Sequence, residues 1–166
     1  PSLGRARREL GRTGEGIALL REGVARAIES GARLNIVQSL TWHAQAQMLE
    51  GAIADALGTM EDALRANPEE LWFRPEAYRI RGEIRLKQGD RSLAEADFRE
   101  AITLAQKMSA KAWELRATTS LARLLRDTNR RDEARTMLAE IYGWFTEGFD
   151  TADLKDAKAL LDELGG

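Results

Sequence analysis

Four turn positions recur along the chain at nearly constant spacing: Gly11, Gly51, Gly89 and Asn129 stand 40, 38 and 40 residues apart. Glycine takes a left-handed backbone at no steric cost and asparagine tolerates it, so the four are equivalent as tight-turn residues. Side-chain size recurs with them. Seven residues before each turn is a small residue, Gly4, Ala44, Gly82 or Ala122. Five residues after it comes Gly16, Ala56, Ala94 or Ala134. At nine residues comes a larger apolar side chain, Leu20, Met60, Phe98 or Leu138, and at twelve Gly23, Ala63, Ala101 or Ile141. The last three offsets are four and three apart, so they share one face of a helix. A small–large–small face lets a neighbouring helix approach at two points and be filled at the third. The stretch Gly89–Ile102, GDRSLAEADFREAI, shows this most clearly.

The chain has three prolines, Pro1, Pro68 and Pro75, and its long intervals are rich in Ala, Leu, Arg and Glu. These are good helix formers, and no stretch alternates with period two, so the expectation is all-α. Helices are predicted over 2–11, 13–30, 33–50, 52–66, 74–88, 91–107, 109–127, 131–143 and 151–163, with a connector at 67–73. Thr13 and Ser109 are expected N-caps, Thr151 or Asp150 is expected to cap the last helix, and Gly31 is expected to end the second. Asn67-Pro68 stops the fourth, because the residue before proline is pushed out of helical geometry.

The recurring set resembles the tetratricopeptide repeat family, whose second helix carries Ala, a bulky apolar residue and Ala after a Gly or Asn turn. The third unit fits best, with Tyr78, Gly82, Gly89, Ala94, Phe98 and Ala101 in the family's places. The resemblance covers about residues 2–143. It implies a right-handed superhelical solenoid of four helix pairs, over 1–32, 33–70, 71–108 and 109–143, plus a capping helix at 150–164, all in one domain. The chain departs from the family in its period, which exceeds the usual ~34, in a first unit lacking the start of its first helix, and in Ile141 where Ala is preferred. A narrower resemblance joins SAKAWELRATTSLARLLRD and IYGWFTEGFDTADLKDAKALLDEL to the C-terminal regions of large bacterial proteins. Those carry an adenylate or guanylate cyclase-type or DNA-binding domain and an ATPase module upstream. With Pro1 in place of Met, this makes the expectation a regulatory piece of a longer cytoplasmic signalling protein.

Composition narrows the function. The 166 residues are 43% hydrophobic and 31% charged, with a net charge of −2 and no cysteine. That balance belongs to a folded domain and argues against a dedicated nucleic-acid binder. Disulfides and thiolate metal sites are excluded. No apolar run is long enough for a membrane span and no signal-peptide pattern opens the chain. His43, the one histidine, precedes a small helix-contact residue and reads as a packed side chain rather than a ligand or base. Glu61-Asp62, Glu69-Glu70 and Asp132-Glu133 lie at helix starts or ends, and the helix dipole accounts for Asp132-Glu133 near a helix N-terminus; none stands isolated in an apolar setting as acid–base work would need. GRTGEG lacks the Lys-Ser/Thr ending of a phosphate loop. Phe73 and Trp113, at matching starts of first helices, are expected to pack between units, and Trp144-Phe145 to seal the last pair. No catalytic, cofactor or metal site is assigned.

In a repeat of this type the first helices line the concave face. That places Arg5, Arg8, Thr41, Gln45, Met48, Arg79, Glu83, Lys87, Thr119, Arg123 and Arg126 inward. The face tends basic while residues 132–163 are acidic, so an acidic peptide or tail is the expected ligand. The alternative is that these arginines only solvate helices. The partner-binding candidates are Thr41, Gln45, Arg79, Glu83, Lys87, Arg116, Arg123 and Arg126, and replacing Arg79, Arg123 and Arg126 by Glu is expected to weaken binding without unfolding. Other readings are a small-ligand sensor with a pocket near Trp42 and Trp113 that gates an upstream ATPase, and self-association into a homodimer.

Overall fold

The computed structural model describes residues 22, 23, 26, 35–66 and 68–166. The expected helix over 2–11, most of that over 13–30, and Gly11, Thr13, Gly31, Arg5 and Arg8 lie outside the described residues. Seven helices fall wholly within them: α1 Ile36–Leu49, α2 Ile53–Ala66, α3 Arg74–Gln88, α4 Arg91–Lys107, α5 Lys111–Asp127, α6 Arg131–Trp144 and α7 Ala152–Gly165. No strand occurs among the described residues. The chain divides into two compact units, Pro1–Glu70 and Leu71–Gly166.

Three of the turns expected from the spacing are present, each closed the same way. Gly51, Gly89 and Asn129 have φ of 84°, 87° and 60°. The amide of the next residue reaches back to a carbonyl one turn inside the helix: Ala52 to Gln47 at 2.9 Å, Asp90 to Arg85 at 2.9 Å and Arg130 to Leu125 at 2.7 Å. This left-handed closure satisfies carbonyls that a helix end leaves open. A fourth copy corrects the sequence reading. Ser109 is not the N-cap of α5; it is the left-handed residue that ends α4, with φ 55° and the Ala110 amide on the Ala105 carbonyl at 2.9 Å. Ala110 takes the N-cap place and has no side-chain bond to give. Thr151 is the N-cap residue of α7 and likewise makes no side-chain cap.

In the first unit α1 packs on α2, with Val37, Ala44, Ala56, Met60 and Ala63 fully buried. Thr41 is also fully buried, its hydroxyl donating to the Val37 carbonyl at 2.7 Å. The α1 N-terminus is closed from a distance: Glu70 is buried, and its carboxylate accepts the Val37 amide at 3.1 Å and the Gln38 amide at 3.5 Å. A carboxylate there satisfies open N–H groups and meets the positive end of the helix dipole.

In the second unit each helix packs on the next, and α5 also touches α3 and α7. The first helices α3 and α5 therefore form a row that α7 continues, with α4 and α6 behind. Gly82 is the point of closest approach. A Cβ there would lie 2.5 Å from Phe98 Cε1 and 2.8 Å from Cδ1, so the ring of fully buried Phe98 fills the space a side chain would take. Asp97, beside Phe98, is 3% exposed and clamps α4 to α3. It accepts Arg81 at 2.6 and 3.0 Å and Arg85 at 2.8 Å. On the second-helix side, Glu95 and Arg99 of α4 close a ring of ion pairs with Arg130 and Glu133 at the start of α6, at 2.7–2.9 Å.

Leu154, Ala157, Leu160 and Leu164 put the apolar stripe of α7 into this core. Phe73 is buried and meets Trp113 edge to face at 5.5 Å, as packing between first helices requires. The sealing role expected of Trp144-Phe145 falls to Phe145 alone. Phe145 packs against the core, whereas Trp144 is 58% exposed, with the Lys111 ammonium 5.8 Å from its ring centroid.

Candidate functional site

The first-helix row of the second unit brings four of the candidate arginines onto one face, on α3 and α5. The spacing 116, 123, 126 on one helix is the reason: seven and three residues are two turns and nearly one, so the three guanidiniums of α5 rise from the same side. Arg79 joins them from α3, the neighbouring first helix.

At the inner end the charges are buried and mutually satisfied. Glu76, 6% exposed, takes both Oε atoms to Arg79 at 2.8 Å, and Arg116 reaches its Oε1 at 3.1 Å. Burial alone would push the Glu76 carboxyl up. The Arg79 hydrogen bonds, with the charges of Arg79 and Arg116, outweigh it and hold the group below the usual carboxylate range. Ser120, also buried, donates to Glu83 Oε1 at 2.7 Å, and Arg79 approaches both Ser120 and Glu83, at 3.4 and 3.5 Å. These contacts tie α3 to α5.

The outer end is where the acidic segment read from the sequence reappears. Arg116 faces Asp153 at 3.7 Å, Arg123 donates to Asp156, and Arg126 reaches both Glu163 oxygens at 2.9 and 3.1 Å. Arg126 also donates to Asp127 at 2.8 Å, and Arg131 to the Glu163 carbonyl at 2.7 Å. The three acids are about half exposed. A small cleft of about 130 Å³ remains between Arg79, Arg116, Ser120, Arg123, Asp153 and Asp156. It has room for a few water molecules and is well short of the several hundred Å³ that an enclosed small-molecule ligand fills.

Set against the sequence reading, Arg79, Glu83, Arg116, Arg123 and Arg126 come together on this face, and Lys87 stands exposed one turn beyond Glu83. Thr41 is interior packing in the first unit and offers no contact to an outside partner. Gln45 lies half-buried on the same helix. Arg79 is only 13% exposed, so an Arg79→Glu change would set a carboxylate against Glu76 and Glu83 inside the unit and cannot leave stability untouched. Glu76, Asp153, Asp156 and Glu163 also meet the arginines of this face and are not among the residues expected from the sequence. Asp153, Asp156 and Glu163 do share a helix face, but their spacings of three and seven do not copy the seven and three of Arg116, Arg123 and Arg126, so spacing alone does not pair the two sets. Among the described residues no group of His, Cys, Asp and Glu is placed to hold a metal ion, and no helix is long and apolar enough to cross a membrane.

Residues 75–108, which span α3 and α4, match the family model of the tetratricopeptide repeat. No curated protein matches the chain. Among solved structures, the chain is similar to a putative kinesin light chain with nearly identical TPR-like repeats from Podosopora anserina, at TM-score 0.71 and 17% identity over 98% of this chain and 82% of that one. BtubC (BKLC) from P. vanneervenii aligns at TM-score 0.71 and 18% identity, covering 98% and 76%. MamA aligns at TM-score 0.60 and 17% identity, covering 99% and 90%. At such identities the likeness is one of fold. It agrees with the paired helices, the left-handed turns and the Gly82–Phe98 contact: this is an all-α, tetratricopeptide-like repeat fold, with a matching repeat at residues 75–108.

Proposed function

We propose that the chain is a non-catalytic protein-interaction module that binds a peptide or partner domain along its row of first helices, within a larger cytoplasmic bacterial signalling protein. The observation that supports this best is α7. The first-helix face of α5 already holds an acidic amphipathic helix, through an apolar seam and three arginine–carboxylate contacts. A surface that reads one such helix has the shape and charge to read another along α3, where Glu83 and exposed Lys87 continue the row. Tetratricopeptide-like repeats serve generally as protein-binding scaffolds, and the polar groups of this face are spent on ion pairs rather than arranged as acid, base and nucleophile.

Site-specific photo-crosslinking in the producing cell tests this. A crosslinker placed at Glu83, Lys87 or Arg123 is expected to capture a partner protein. The same group at Arg135 or Glu140, on the exposed outer side of α6, is expected to capture none. Capture from the outer side alone would overturn the assignment of the first-helix face.

A further inference from the structure

The seat of α7 is a site in its own right, and its best-matched occupant outside the chain is α7 of a second copy. We propose that two copies exchange this helix reciprocally, each completing the other's arginine face. The inference rests on reading the first-helix face as a helix-binding surface. Three observations lead to it.

First, recognition is written on both partners within one chain. The seat supplies Arg123 and Arg126, and the helix supplies Asp156 and Glu163. Leu154, Ala157, Leu160 and Leu164 fill the apolar seam between these charges, each at most 6% exposed. A helix of unrelated sequence would have to match that seam and the charges together, whereas a second α7 regains every contact. That is why exchange of an identical element is a low-cost route to a dimer.

Second, the connection to α7 is exposed, and its one ring contact among the described residues is Phe149 on Tyr142 of α6, at 5.7 Å between centroids. All six residues 146–151 are exposed. Gly148 is left-handed, at φ 78°, and the turn closes through the Thr151 amide on the Gly148 carbonyl at 2.9 Å. Thr151 gives α7 no side-chain cap. Six residues extended reach ~20 Å, enough to send α7 to a neighbouring copy.

Third, among the described helices α7 contacts only α5 and α6. The α3–α4 pair keeps its own contacts when α7 leaves, so the exchange disturbs one edge of the unit rather than its whole core.

Charge reversal tests this directly. One chain carries Arg123→Glu and Arg126→Glu, the other Asp156→Arg and Glu163→Arg. In each alone, seat and helix repel. In a reciprocal heterodimer both seats are matched. Mixing is expected to give a 1:1 species of twice the 18.5 kDa chain mass by light scattering, with helical signal restored if either variant had lost it. A mixture that stays at the single-chain mass overturns the exchange, as does a mixture that stays unfolded while the chain carrying all four changes folds. A second measurement decides the matter in a nearly native background. The chain has no cysteine, so a copy with Arg123→Cys and a copy with Asp156→Cys can be mixed and treated with a short bis-maleimide, which spans the distance an arginine and an aspartate side chain bridged. A cross-linked heterodimer is expected; its absence sinks the proposal. Saturable binding of a labelled peptide of residues 150–166 to the wild-type chain, without heterodimer formation, would leave the helix-binding reading standing and remove the exchange.

Discussion

In the α3–α4 pair, buried Asp97 is clamped between Arg81 and Arg85. Forty residues on, in the α5–α6 pair, the same three places hold Met137, Leu121 and Leu125, with both leucines fully buried. The first unit has a third answer thirty-eight residues earlier, with His43, Gln47 and Thr59 in these places and the Thr59 hydroxyl donating to Gln47 Oε1 at 2.8 Å. One position between paired helices is thus filled by an ion cluster, by hydrocarbon and by a neutral hydrogen bond. Size behaves the same way at the neighbouring contact. Gly82 sits against Phe98, the corresponding residues in α5 and α6 are Ala122 and Leu138, and those in α1 and α2 are Ala44 and Met60. The smallest side chain goes with the largest. The repeat preserves the volume and polarity balance of a pair rather than its residues.

The comparison can be broken most severely at Asp97. Asp97→Ala leaves two guanidiniums, 17% and 14% exposed, without their acid, and is expected to lower unfolding stability by ~3–5 kcal/mol in denaturant titration. Next comes the size pairing. Gly82→Ala drives a methyl into the Phe98 ring and is expected to cost ~1–3 kcal/mol, with most of that returned when Phe98→Leu is added. A double-mutant cycle measures the coupling, and simple additivity would show that the two sites are independent. The whole exchange of chemistry should be milder than its parts. Arg81→Leu, Arg85→Leu and Asp97→Met together copy the α5–α6 solution and are expected to leave stability unchanged or raised by ~1–4 kcal/mol. A loss as large as that of Asp97→Ala would show that the two pairs are not equivalent. The smallest effect is expected at the α7 rim, where Arg126→Gln should cost under ~1 kcal/mol and the difference should shrink in high salt.

Acid gives an independent reading of the buried end. Glu76 is held low because Arg79 and Arg116 outweigh its burial, and Glu133 because hydrogen bonds from Arg99 and Arg130 outweigh its slight desolvation. A carboxyl lower in the folded than in the unfolded chain contributes stability that is full above the unfolded value, near 4.5, and is lost as pH falls through the folded value. Unfolding midpoints should therefore drop below about pH 4.5, and Glu76→Gln should flatten that part of the profile.

Much of the fold is legible in the sequence because it depends on backbone permission and side-chain size. Gly51, Gly89 and Asn129 mark their turns since few residues accept a left-handed backbone. Ala94, Phe98 and Ala101 mark a face since their spacing is helical. Ser109 misleads because serine suits an N-cap and also tolerates the end of the preceding helix, and the carbonyl of Ala105 decides between them. The face itself is legible only in halves. Arg116, Arg123 and Arg126 read as a site waiting for an acidic ligand, because charge and spacing say nothing of which distant segment returns to meet them. Thr41 reads as a contact because its helix face is right, but its neighbours bury it.

Glu70 has a consequence in time. Its carboxylate closes the start of α1, yet it lies 33 residues after Val37. On a ribosome adding roughly 5–20 residues each second, α1 waits ~2–7 s for that cap to be made, and longer for it to clear the exit tunnel. Through that interval the Val37 and Gln38 amides lack the carboxylate that accepts them in the folded chain. The α1–α2 pair is therefore synthesised before it can be finished, and its completion is set by the arrival of the connector.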